Sequence, residues 1–151
     1  MIYKSYILEK NVDKILSSNF FLFYGENEGL KKTFKQLIKS KITDKSLIYF
    51  QEEILKNKDA FIEAILNKSL FEDNKNFFIN EVDDKIFDII EKYANTVGVK
   101  FFIFSRILNK KSKLRSFFEK SKKFGITACY EDNEITIRNI ISEQLRQTKG
   151  L

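Results

Sequence analysis

The sequence predicts an α/β protein: a mostly parallel sheet with helices on both faces, three layers in all. Two observations carry this. Five short runs, FFLFY (20–24), SLIYF (46–50), NFFINEV (76–82), KFFIFS (100–105) and ITACY (126–130), have the length of strands and most are apolar almost throughout. That is the pattern of strands buried on both faces, as in a parallel sheet covered by helices. Between the runs lie segments whose apolar residues recur at helical spacing, and strand–helix alternation is the mark of an α/β domain.

Taken in order, Val12, Ile15 and Leu16 suggest a short amphipathic helix ahead of the first strand. Leu30, Phe34, Leu37 and Ile38 share a face in the next segment, then Phe61, Ala64, Ile65 and Leu66. Ile86, Phe87, Ile89, Ile90 and Tyr93 form the third helical face, and Leu114, Phe117 and Phe118 the fourth, among lysines. Asp83 or Asp84 can cap the third helix, and Ser112 lies near the start of the fourth. Ile137, Ile140, Ile141 and Leu145 mark a last helix that has no later strand to cover. Residues 1–131 therefore read as one domain, and 132–151 as the helix that opens a second.

Composition narrows the chemistry. At 43% hydrophobic residues, the 151-residue chain can build a real core. One cysteine, Cys129, and no histidine exclude an internal disulfide, a Cys/His zinc site and a histidine-based triad or general base. No cofactor is expected. Charges break the N-terminal segment every few residues, so it is no signal peptide, and no apolar run approaches the ~20 residues of a membrane span. The expectation is a cytoplasmic globular protein. The net charge of +6 raises nucleic acid as a partner. The lysines are scattered, however, which favours a solvated surface.

The stretch FFLFYGENEGLKKTFK (20–35) has the outline of a strand, turn and helix that grip a nucleotide phosphate. A working P-loop needs G-x-x-x-x-G-K-[ST], whose amides wrap the phosphates while its lysine neutralises charge and its hydroxyl ligates magnesium. Counting from Gly25, Leu30 replaces the second glycine and Lys31 falls in place. Lys32 replaces the hydroxyl, and Thr33 comes one position late. Glu26 and Glu28 would repel a triphosphate at the helix N-terminus. The third run looks like a Walker B strand in which Asn80 stands at the magnesium-positioning Asp and Glu81 follows it. Ser105, ending the fourth run, could mimic a γ-phosphate sensor or simply end a strand. The architecture of a nucleotide site survives here without its chemistry.

Two surfaces remain. The lysine-rich segment NKKSKLRSFFEKSKK carries Lys110, Lys111, Lys113 and Arg115, which could meet DNA phosphate or form an ordinary solvated helix face. Leu70 and Phe71 stand together at a polar helix–strand junction, either tucked under the sheet edge or projecting as an anchor for another protein.

In order and spacing, these features resemble the N-terminal domain of the delta subunit of the bacterial DNA polymerase III clamp loader. The residues that carry the likeness are the opening helix, FLFYGENEGLKK in place of a P-loop, the SLF junction and FFIFSRILNKKSKLRSFFEK. The resemblance implies an AAA+-like fold, P-loop NTPase-like with a five-stranded sheet, whose own nucleotide site is degenerate. It implies no intrinsic catalysis and a role in DNA replication, binding and helping to open the sliding clamp (beta). By the resemblance, Leu70 and Phe71 become the exposed clamp-binding pair, and Lys68 departs from the apolar residue some relatives carry there. The delta prime and gamma or tau subunits would be partners of a full-length protein, with DNA a further one and no membrane. Two other readings stay open: a P-loop enzyme acting through Lys31 and Thr33, and a basic nucleic-acid-binding module.

Overall fold

The computed structural model describes residues 1–43, 45–67 and 75–130. Six strands, β1 (Ile2–Tyr3), β2 (Phe20–Tyr24), β3 (Ser46–Phe50), β4 (Lys75–Val82), β5 (Val99–Ser105) and β6 (Gly125–Ala128), form one sheet in the order β1-β6-β2-β5-β4-β3. Every pairing is parallel. The five expected strands fall where the apolar runs place them. The expectation of a five-stranded sheet is corrected to six, because Ile2 and Tyr3 pair with Ile126 and Thr127 along the outer side of β6. Two residues are too few to show any period in sequence.

Burial on both faces explains the runs. Along β2, Phe20, Leu22 and Tyr24 enter one hydrophobic cluster while Phe21 and Phe23 enter the other, the two-residue alternation of a strand. Helices α1 (Ser5–Lys10), α2 (Val12–Leu16) and α3 (Glu28–Lys41) cover one face through Leu8, Ile15, Phe34 and Ile38. On the opposite face, α4 (Gln51–Lys56), α5 (Lys58–Leu66), α6 (Phe87–Tyr93) and α7 (Lys113–Lys120) contribute Ile54, Phe61, Ile90 and Phe118. Phe23 illustrates the packing: its ring lies 4.8 Å from Phe104 at 8° and 5.0 Å from Phe34. Truncating such a residue to alanine costs about 3–5 kcal/mol.

Caps settle the helix starts. Asn27 accepts the Leu30 amide at α3, Asn57 the Ala60 amide at α5, and Ser112 the Arg115 amide at α7. The two candidate caps of the third helical segment divide their work. Asp83 accepts from Lys85 N–H at the 3-10 turn Asp84–Ile86, whereas Asp84 reaches across to Ser112 Oγ and the amides of Lys113 and Leu114. Leu66 leaves the α5 core face and is 54% exposed.

The strand order fixes where a site can form. From β2 the chain crosses one face through α3 to the far edge at β3, then returns by β4 and β5 to β6 across the other face. Right-handed crossovers require that change of face when the direction reverses. The helices after the neighbouring strands β2 and β5 thus leave on opposite sides. Their carboxyl ends open the crevice in which parallel α/β sheets bind ligands. Among the described residues, no helix is long and apolar enough to cross a membrane.

Candidate functional site

That crevice is bounded by the turn after β2, the first turn of α3 and the end of β5. Gly25 makes the turn at φ +124°, and a Cβ there would stand 2.2 Å from the Cys129 carbonyl oxygen, so glycine is required twice over. Its N–H donates to the Arg106 carbonyl (3.2 Å), and Asn27 N–H donates to that of Cys129 (2.9 Å). Asn27 Nδ2 also donates to the Tyr130 carbonyl at 3.1 Å. Amides that would wrap a phosphate are here spent on the ends of β5 and β6.

Lys31 sits where a P-loop lysine belongs, yet it is only 4% exposed. Its Nζ donates to Glu28 Oε1 at 2.7 Å and to the Ser105 carbonyl at 3.0 Å. A carboxylate of the same helix therefore stands in for the phosphate. Glu28 gains twice, from Lys31 and from the positive end of α3. The space left among Glu28, Lys31, Lys35, Glu81 and Ser105 is about 10 Å³, at the lower bound for one water and far too small for a phosphate. Burial pulls the Lys35 ammonium below its ordinary pKa, opposed by the Glu28 charge. That ammonium lies 4.7 Å from the Phe104 ring centre.

The remaining residues of the sequence motif also make contacts within the protein. Thr33 is exposed, and its hydroxyl donates back to the Gly29 carbonyl at 3.0 Å. Asn80 is buried, its Nδ2 donating to the Tyr49 carbonyl at 3.3 Å while its Oδ1 has no hydrogen-bond partner among the described residues. Glu81 takes a left-handed conformation, φ 55°, where the β4–β5 register shifts. Its carboxylate meets Arg106 Nε at 3.2 Å and a terminal guanidinium nitrogen at 3.1 Å. Ser105 is fully buried, and its hydroxyl donates to the Arg106 carbonyl at 3.0 Å.

Sequence reasoning finds the crevice but misses its filling. Glu28 reads as a repulsive charge, and nothing in the sequence pairs Arg106 with Glu81 across 25 positions. A cleft of about 480 Å³ adjoins the crevice, lined by Phe50, Gln51, Glu53, Glu81, Asp83 and Arg106 among others. Gln51 clamps Asp83 there with two 2.8 Å hydrogen bonds. Lys56 pairs there with Glu52 at 3.2 Å and Arg106 with Glu81, and with Glu53, Asp83 and Lys85 also in the lining the cleft's four carboxylates outnumber its three cations, so it offers no concentrated positive field to an anion.

Elsewhere, Lys110, Lys111 and Lys113 are exposed at the start of α7. Arg115 is placed otherwise: its guanidinium donates to the Leu108 carbonyl (2.9 Å) and to Glu119 (3.2 Å), with its centre 4.9 Å from the Tyr24 ring. Leu70 and Phe71, and the expected helix at 132–151, lie outside the described residues.

Fold and site together define the class: a parallel α/β domain in which the crevice beside the β2 turn is occupied by the Lys31–Glu28 pair. No protein-family model matches this chain, and no curated protein matches it in sequence.

Proposed function

We propose that this is a non-catalytic AAA+-like domain of the clamp-loader delta type, which binds a DNA sliding clamp during replication and helps hold it open. The observation that carries the reading is Lys31: a buried lysine at the P-loop position, tied to Glu28 and Ser105, is withheld from any nucleotide. Strand order lends support. An AAA+-like domain needs its phosphate-sensing strand between the P-loop strand and the Walker B strand, and β5 stands between β2 and β4.

Leu70 and Phe71 are the proposed lever tip. Burying a Leu and a Phe side chain contributes on the order of 3–6 kcal/mol gross, part of it lost to association and ordering. Such a domain favours the open clamp only through its higher affinity for that state. The test is binding of the chain to its own species' sliding clamp beside a Leu70→Ala, Phe71→Ala double variant. Loss of binding in a variant with unchanged circular dichroism supports the lever. No binding by the folded wild type overturns it. Melting with and without Mg-ATP addresses the enzyme reading, which requires nucleotide-dependent stabilisation.

A further inference from the structure

We propose that the outer edge of β3 is a self-association surface, where two copies of this chain join antiparallel about a two-fold axis and continue one sheet into the next. β3 ends the sheet and pairs only with β4, in unbroken register from Ser46 to Phe50. Edge strands are ordinarily guarded by charge, proline, a bulge or brevity. The opposite edge, β1, has brevity, being two residues long. The five residues SLIYF of β3 have no charge, no proline and no bulge. Dimer formation does not depend on clamp binding.

The backbone suits a two-fold axis. A strand residue points its N–H and C=O to one side, and successive residues alternate. The Lys45 carbonyl accepts from Asn76 N–H at 3.4 Å and the Tyr49 carbonyl from Asn80 Nδ2 at 3.3 Å. Positions 45, 47 and 49 therefore face β4, and Ser46, Ile48 and Phe50 face outward. With the axis at Ile48, the central residue, the Ile48 N–H of each copy donates to the Ile48 carbonyl of the other. Ser46 of each then comes opposite Phe50 of the other.

The side chains agree. Leu47 and Tyr49 pack inward, while Ile48 and Phe50 lie on the face of Phe78 and are 53% and 47% exposed. On that face α3 reaches as far as Phe78, whose ring centre is 5.2 Å from the Lys39 ammonium. The two-fold brings both Ile48 side chains together beyond it, with a Phe50 ring on either side.

Charge selects a second copy as the occupant. Lys45 precedes β3, exposed and in no ion pair among the described residues, and Glu52 and Glu53 follow it in α4. Antiparallel pairing about Ile48 sets each Lys45 opposite Gln51 and beside Glu52 of the other copy. Parallel pairing of the same edges would set lysine beside lysine. Glu52 is held by Lys56 at 3.2 Å with both side chains mostly exposed, so exchanging partners costs little. One strand thus carries both halves of the match, as an isologous interface requires.

A single strand pair belongs among small, transient interfaces, below about 1,200 Å², so the test is sedimentation equilibrium of the full chain from about 10 µM to about 1 mM. The weight-average mass should rise from 17.9 kDa towards twice that, and less so in high salt. Ile48→Lys sets two like charges face to face and should weaken association about tenfold or more. Phe50→Lys serves if that variant loses its circular dichroism signal. Lys45→Glu and Glu52→Lys should each weaken it about fivefold or more, and both changes in one chain should restore it. Tyr6→Lys, 61% exposed on α1, should change little. A mass that stays at 17.9 kDa throughout would leave the edge to some other extended segment and overturn the proposal. A dimer indifferent to both edge lysines, or a charge-swapped double variant as weak as the single ones, would overturn it as well.

Discussion

In a working P-loop the lysine serves the nucleotide, and replacing it abolishes binding while the fold stands. Here the opposite is expected of Lys31→Met. Methionine keeps the aliphatic stem in the core but removes the donor, leaving the Ser105 carbonyl buried without its partner. An orphaned buried acceptor costs about 1–3 kcal/mol, and a hydrogen bond from a charged group contributes about 1.5–3. The Glu28 half matters less: that carboxylate side chain is 73% exposed and water takes over, so its coupling to Lys31 should stay under about 1 kcal/mol. The net expectation is a loss of about 2–3 kcal/mol, or about 4–12 °C in Tm for a chain of this size. Glu28→Gln should shift Tm by no more than about a third of that. Thermal melts of wild type and both variants, each with and without Mg-ATP, read all of this together. A Lys31→Met protein as stable as wild type, beside a wild type that ATP stabilises, would refute the assignment of Lys31 to structure.

Gly25→Ala should lower stability by about 3 kcal/mol or more, because its Cβ collides with the Cys129 carbonyl at a φ of +124°. The midpoint of urea unfolding would fall, and an unmoved midpoint would contradict the turn geometry. Burial pushes the Cys129 thiol up to about 12 from 9.0, so it should resist Ellman's reagent until the chain unfolds. Below pH 9 the thiol is protonated in both states. Above it the unfolded chain ionises first, so stability should fall from pH 9 towards 12, at up to about 1.4 kcal/mol per pH unit. Cys129→Ala should remove that component of the slope, and urea midpoints of both proteins over this range would show whether it does.

How far the sequence carries depends on whether the deciding interaction is local. FFLFY and KFFIFS announce strands buried on both faces, and β2 and β5 obey them residue by residue. SLIYF reads much the same but lies at the sheet edge. Leu47 and Tyr49 pack inward, while Ile48 and Phe50 are 53% and 47% exposed. A run of apolar residues tells that a strand can be covered, and neighbours alone decide whether it is. Arg115 shows the same limit: it sits in a lysine-rich segment and turns inward because Leu108, Tyr24 and Glu119 converge on it.

By itself the sequence determined the alternation of strands and helices, the Ser112 cap, and the defects that spoil a P-loop between Gly25 and Thr33. Those rest on periodicity, local hydrogen bonding and residue type, all readable within a few positions. Tertiary structure alone decided that Lys31 is a core residue. Its second partner, the Ser105 carbonyl, arrives from 74 positions away because β5 is inserted beside β2, and a lysine is neutralised by whatever acceptors the fold brings within 3 Å of it.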